Sequence, residues 1–179
     1  MDKDWIGQFD SDNAVSGILD TNEYTARFGL ALSKEDAQKI VASRKTVLRQ
    51  QGRVEFGKSV TDAVIKEFCD SQYIGQDNYT ETVIRLQEIF FTFKNEMMDQ
   101  VSDDELLHFM REQFDGVCAG DLDYLEETVL PTFAQAVRRG YDGYKATDGY
   151  GEYEKFDEVK RWDPELYQEV LRDLGLMRR

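Results

Sequence analysis

The chain has 179 residues, of which 41% are hydrophobic and 32% charged, with 36 acidic against 22 basic side chains and a formal charge of -14. That length supports a globular domain with a buried core, and the acidic excess repels a nucleic-acid backbone over most of a folded surface, which argues against direct DNA or RNA binding. Two cysteines, Cys69 and Cys118, are too few for a disulfide scaffold or a four-thiolate zinc site and fit a reducing compartment.

The opening MDKDWIGQFDSDNAV carries four Asp and no apolar run, so no signal peptide is expected. No stretch approaches the ~18 uncharged apolar residues of a membrane span. A cytoplasmic protein without membrane contact is the expectation. Charge is uneven along the chain: residues 37–76 carry net +3, whereas residues 77–127 carry fourteen acids and three bases, net -11. Such a distribution favours a partner with a basic or mixed surface on the acidic part.

Taken in chain order, residues 1–32 read as a partly extended N-terminal segment holding the aromatics Trp5, Phe9, Tyr24 and Phe28. The first predicted helix covers residues 33–51, because Ser33 opens a capping box with Asp36 and Ala37, Ile40, Val41, Val47 and Leu48 recur at helical spacing. Arg44 falls inside that stripe, so it must pair with a carboxylate or snorkel, with ligand binding as the alternative. Gly52 ends the helix. After the short RVEFG passage a second helix presents Val60, Val64, Ile65 and Phe68, with Cys69 on its flank, and residues 72–78 break it.

The strongest periodic signal is residues 79–98. Tyr79, Val83, Leu86, Phe90, Phe93 and Met97 form one line, and Ile84, Phe91 and Met98 a second. Two apolar lines predict the central helix of a bundle. Ser102 and Glu105 form another capping box ahead of Leu106, Leu107, Phe109, Met110 and Phe114. Asp121 caps a further helix in which Pro131 predicts a kink or restart near Leu130. From residue 140 to 153 four Gly and four Tyr predict a loop, and Asp163-Pro164-Glu165 opens a short C-terminal helix. The expected fold is all-α: a compact multi-helix bundle, with residues 1–32 as the N-terminal segment, 33–139 as the helical core domain, and 140–179 as the Gly/Tyr-rich loop and last helix.

Two patterns point to chemistry. Gly52-Arg53-Val54-Glu55-Phe56-Gly57-Lys58-Ser59 is a complete GxxxxGKS, in which backbone amides, the lysine and the serine would cradle phosphate and magnesium. A working phosphate loop follows a strand, however, and here it follows a helix. Glu105-Leu106-Leu107-His108 matches the Glu-x-x-His of carboxylate-bridged dimetal sites. Its Glu and His lie about 150° from the apolar stripe of their helix, and Glu105 is already the capping residue. Glu81 and Glu88 could add carboxylates from the preceding helix, but they stand outside its main apolar line. His108 is the only histidine, and neither cysteine has a motif that would lower its thiol pKa, so both read as structural. No cofactor or metal is expected.

The runs LSKEDAQKIVASRKTVLRQQGRVEFGKS, EFCDSQYIGQDNY, LQEIFFTFKNE, DDELLHFMREQFDG and GDLDYLEETVL resemble an uncharacterised family of small acidic proteins from Gram-positive anaerobic bacteria, over about residues 30–140. That resemblance carries no reaction, cofactor or site residue.

The functional expectation is a non-catalytic intracellular protein-protein interaction or adaptor protein. Its candidate partner-binding residues are Tyr141, Tyr144, Tyr150, Tyr153, Phe156 and Trp162, since tyrosine and tryptophan bring large area and a polar handle at modest entropic cost. Packing of these rings within the chain is the alternative reading. Self-association is open. The alternatives are an acidic inhibitor imitating nucleic acid through residues 77–127, and a helical enzyme with a nucleotide or dimetal site.

Overall fold

A computed structural model describes residues 3–55 and 59–138, with side chains from residue 10 onward. The fold is all-α, with no strand among the described residues. The chain divides into two compact units, Met1–Phe91 and Thr92–Arg179. The Gly/Tyr-rich segment and the C-terminal helix expected after residue 139 lie outside the described residues.

In the first unit the N-terminal segment, expected to be partly extended, is helical over most of its length: α1 (Lys3–Asp20), α2 (Asn22–Thr25) and a 3-10 turn (Ala26–Phe28). The segment gives little sign of this, because Gly17 and several Asp dilute the pattern. Val15 and Ile18 are nevertheless buried, and α1 packs against α3 (Lys34–Gln50) and α4 (Val60–Phe68). Tertiary burial here overrides weak local propensity.

Regular structure stops for the few residues after Gly29, whose φ of 74° places it in the left-handed region that caps the 3-10 turn. Backbone polar groups there have no ladder to join, so side-chain amides take that place. Gln76 accepts from the Ala31 N–H (2.8 Å) and donates to the Ala31 carbonyl (2.8 Å). Asn22 does the same for Leu32, at 2.8 and 2.9 Å. Two carboxamides thus stand in for neighbouring strands and deliver the chain to Ser33.

At Ser33 the predicted capping box is present: its hydroxyl accepts from the Asp36 N–H while the Asp36 carboxylate accepts from the Ser33 N–H. Those bonds from Ser33 hold the Asp36 carboxyl below its ordinary value. Ala37, Ile40, Val41 and Val47 are buried, and the helix ends at Gly52, φ 63°. Ser59 caps α4 by accepting from the Thr61 N–H, and Val60, Val64, Ile65 and Phe68 all face inward as expected.

The helix α5 (Tyr79–Glu96) begins in the first unit and ends in the second. Its first apolar line is fully buried, including Tyr79, Leu86, Phe90 and Phe93, and Phe90 meets Phe91 edge to face at 5.3 Å. Between these rings lies a polar group with no access to solvent. The Gln87 side chain accepts from the Thr61 hydroxyl (2.9 Å) and donates to the Ile40 carbonyl (2.9 Å), tying α5 to α4 and α3 at one point. Ser43 adds an α3 to α5 bond by donating to Glu88 at 3.1 Å.

In the second unit the end of α5 corrects the expectation for its second line. The helix stops at Glu96, and Met98, predicted to be its last inward residue, is 60% exposed with φ 52°. Buried Lys94 accounts for the stop: its ammonium donates to the Val101 carbonyl (2.5 Å) and pairs with Asp103 (2.9 Å) and Asp99 (3.7 Å). Three oxygens around one ammonium fold the connection back before α6 (Asp103–Asp115) can start. Ser102 and Glu105 form the second predicted capping box, and Leu106, Leu107, Phe109, Met110 and Phe114 are buried.

Asp121 caps α7 (Leu122–Tyr124) by accepting from the Tyr124 N–H at 3.0 Å. The interruption predicted from Pro131 takes the form of a π-helical turn over Leu125–Val129, after which α8 (Leu130–Arg138) begins. Proline lacks an N–H and its ring crowds the carbonyl four residues back. Widening the preceding turn, with the Leu130 N–H reaching the Leu125 carbonyl, relieves that crowding without ending the helical path. Phe133 of α8 then stacks on Phe109 of α6, ring centres 3.9 Å apart.

Replacing Phe90 with Ala removes a ring that is 1% exposed and leaves a cavity among close-packed neighbours. Chemical denaturation is expected to show a loss of roughly 3–5 kcal/mol with the helical spectrum retained below the transition.

Candidate functional site

The first unit contains an open groove of about 820 Å³ between α1, α3 and the passage leading to α4. Its floor is apolar, from Ile18, Val41 and Leu48, and its walls are charged. Arg44, Lys45 and Arg49 come from α3, Arg53 and Glu55 from the following passage, Asp10 from α1, and Asp62 from α4. Helical spacing places 45 and 49 one turn apart on one face, whereas the α1 contribution depends on tertiary packing.

Arg44, singled out for lying in the apolar stripe of its helix, has the carboxylate partner that position required. Its Nε donates to Glu55 at 2.7 Å and its Nη2 reaches the same oxygen. The other Glu55 oxygen accepts from the Val60 N–H at 3.3 Å, at the start of α4. Glu55 therefore occupies the position where the GxxxxGKS reading required phosphate: over the N-terminus of the helix after the loop, where unpaired amides and the helix dipole favour an anion. The segment before Gly52 is α3 rather than a strand, and the Ser59 hydroxyl is engaged with Thr61. Phe56, Gly57 and Lys58 lie outside the described residues.

In Glu-x-x-His the glutamate has a structural role. Glu105 closes the capping box and His108 is exposed on α6. Among the described residues no group of three or more His, Cys, Asp or Glu side chains could hold a metal ion. Cys69 and Cys118 are both buried free thiols. The Tyr79 hydroxyl is buried and makes no hydrogen bond of standard geometry. Burial pushes its pKa up to about 12, with Thr25 acting against the shift and Cys69 reinforcing it, so the phenol stays neutral and is no general base at ordinary pH.

A second surface feature of this unit escaped the sequence reading in its detail. Tyr24 and Phe28 are each 40% exposed with ring centres 5.9 Å apart, and Arg27 lies against both, its guanidinium carbon 3.7 Å from the Tyr24 ring centre and 5.2 Å from that of Phe28. Arg27 Nε also donates to the Tyr24 carbonyl at 3.2 Å. Stacking and this bond fix a long side chain in advance of any contact. The three residues span just over one helical turn, and it is the α2 to 3-10 sequence of turns that brings them together.

Around residues 92–138 the charge is one-sided, with eleven acids against three bases. All three bases are engaged within the unit: Lys94 with Asp103 and Asp99, Arg111 with Asp115 (2.7 Å), and Arg138 with Glu96 (2.7 Å). Tyr141, Tyr144, Tyr150, Tyr153, Phe156 and Trp162, the candidate partner-binding residues, lie outside the described residues, as do any contacts they make.

A family of unknown function, DUF6323, has a model that matches residues 17–143. The chain belongs to this family. The match bears out the resemblance to an uncharacterised family with no function to transfer, and it reaches from within α1 through α8, so the family covers most of the groove wall, the Arg27 cluster and the acidic stretch 92–138. No curated protein and no solved structure matches the chain. No helix among the described residues is long and apolar enough to cross a membrane.

With the α4 N-terminus occupied by Glu55, calorimetry with ATP or GTP and magnesium is expected to show no micromolar binding, and metal analysis no stoichiometric iron or manganese. Micromolar nucleotide affinity that disappears in Lys58→Ala would contradict the assignment of this loop to structure.

Proposed function

We propose that the protein is a non-catalytic intracellular interaction or adaptor protein whose partner presents a basic or mixed surface. The observation that carries this reading is the Tyr24, Arg27 and Phe28 cluster. Partly exposed aromatic rings with an arginine already stacked on them have the composition of interface hot spots, and immobilising Arg27 beforehand lowers the entropy lost on contact. The charge of residues 92–138 supports it by supplying long-range attraction: eleven acids against three internally paired bases steer a basic partner and set salt dependence more than final affinity. Tyr141, Tyr144, Tyr150, Tyr153, Phe156 and Trp162 are proposed as further contact residues, and the compartment is proposed to be the cytoplasm.

A second reading, an inhibitor imitating nucleic acid, is favoured by that same acidic stretch taken alone. It gives no role to an arginine stacked on an aromatic ring.

Native mass spectrometry of the gently purified chain separates the two. The adaptor reading predicts a retained protein partner that added duplex DNA does not displace. Combined Tyr24→Ser and Phe28→Ser are expected to weaken that partner's binding at least tenfold with helical content unchanged, and Tyr144, Tyr150 and Tyr153 changed together to Ser are expected to weaken it further. Displacement by DNA would support the inhibitor, and a partner bound equally well by all variants would overturn the assigned surface.

A further inference from the structure

We propose that Met98 is a reversible oxidation site, at which a peroxide converts the thioether to a sulfoxide while the other sulfur atoms of the described residues stay protected. The proposal goes beyond the adaptor reading and does not depend on it.

The described residues include the sulfur-bearing side chains of Cys69, Met97, Met98, Met110 and Cys118. Both cysteines are buried, Met97 and Met110 are at 0% exposure, and Met98 alone among them is open to water, at 60%. Thiols ordinarily compete well for peroxide, but these two lie in the core, out of reach of a solute.

Met97 and Met98 are neighbours of identical chemistry with opposite surroundings, and the end of α5 is the reason. The Met98 N–H donates to the Asn95 carbonyl (2.9 Å) and the Asp99 N–H to the Lys94 carbonyl (3.0 Å), the pair of bonds that closes a helix on a left-handed residue. That residue is Met98. Its φ of 52°, followed by 54° at Asp99, turns the chain out of the helical path, so Met97 keeps its place in the core while Met98 is delivered to the surface. Glycine is the residue such a position favours, because a Cβ is strained there. A long side chain therefore stands where neither backbone conformation nor burial calls for one, and what it brings to the surface is a polarizable thioether.

The turn around it is held by other groups. Backbone bonds close it, and the Lys94 ammonium ties it to the Val101 carbonyl, Asp103 and Asp99 without using the Met98 side chain. With hydrogen peroxide, the Met98 sulfur attacks one peroxide oxygen, the O–O bond breaks, and the second oxygen leaves as water. Sulfur is oxidised by two electrons and the peroxide is reduced. The product is polar, which would disrupt a core but suits a side chain already in water. Return to the thioether takes a methionine sulfoxide reductase and a dithiol, the oxygen leaving as water and the dithiol becoming a disulfide. The change in polarity falls within residues 92–138, the acidic stretch that the adaptor reading sets against a basic partner.

The test treats the full chain with graded hydrogen peroxide and follows each methionine by peptide mass spectrometry. Met98 sulfoxide is expected to form at least tenfold faster than sulfoxide at Met97 or Met110, with the helical spectrum and the urea midpoint unchanged. Dithiothreitol and reductases for both sulfoxide epimers should then restore the thioether. Met98→Gly is expected to hold or raise the urea midpoint, which tests separately that this side chain is not a packing group. Oxidation of Met97 or Met110 at a comparable rate, unfolding when Met98 is oxidised, a sulfoxide that the reductases leave in place, or a lowered midpoint in Met98→Gly would each overturn the proposal. None of these readouts uses a partner protein, so this proposal and the adaptor reading fail separately.

Discussion

A carboxamide without access to water needs partners for both its ends, because each unpaired buried group costs about 1–3 kcal/mol. Gln87 finds one on each of two other helices, the Thr61 hydroxyl of α4 and the Ile40 carbonyl of α3. Apolar burial around it is non-directional and would tolerate α5 turned or shifted by part of a residue. The two hydrogen bonds would not. They fix the rotation of α5 relative to α3 and α4, and with it the position of the α3 face that carries Arg44, Lys45 and Arg49. Thr61 is itself held at the start of α4 by Ser59, so the cap of one helix and the core of the unit share a network. The groove and its charge are set downstream of this arrangement.

Much of the fold is legible in the sequence, for reasons that differ by element. The capping boxes at Ser33 and Ser102 are local: side chain and amide lie three residues apart, and nothing distant is needed to satisfy them. The apolar line of α5 is also self-contained, since burial follows once any neighbour exists. Pro131 announces an interruption but not its form, because a kink, a restart and a π-turn all relieve the same carbonyl. What the sequence conceals is structure created by distant partners. The helix α1 lacks a clean apolar stripe and packs against α3 and α4. The amide clamps of Asn22 and Gln76 on Leu32 and Ala31 join residues 10 and 45 positions apart, a pairing no local pattern encodes. Met98 was misplaced for the same reason: helical spacing continues through it, but Lys94 ends the helix by turning to Val101 and Asp103.

The candidate site divides along the same line. Arg44 was identifiable as an arginine needing a carboxylate, although Glu55 could be named only after folding. The GxxxxGKS match and Glu-x-x-His show the converse, patterns complete in sequence in which individual members have structural hydrogen bonds. Ser59 and Glu105 cap helices, and Glu55 takes the anion position for itself. Chemistry of this kind depends on where side chains are free to point, and here their hydrogen bonds are directed inward. The remaining surface is organised by charge, with bases of residues 92–138 neutralised internally and cations of the first unit gathered along α3.

The central claim, that Gln87 sets the helix arrangement through paired hydrogen bonds, is tested most directly by a double-mutant cycle of Gln87→Met and Thr61→Val measured by urea denaturation. Each substitution keeps approximate volume and removes one polar partner. Gln87→Met alone is expected to destabilise by about 1–3 kcal/mol, because the buried Thr61 hydroxyl loses its acceptor and the Ile40 carbonyl loses the Gln87 donor. The double variant should cost less than the sum of the two, by about 0.5–1.5 kcal/mol, since replacing both partners removes the orphan. Additivity within about 0.3 kcal/mol, or a Gln87→Met variant as stable as the parent, would contradict the account.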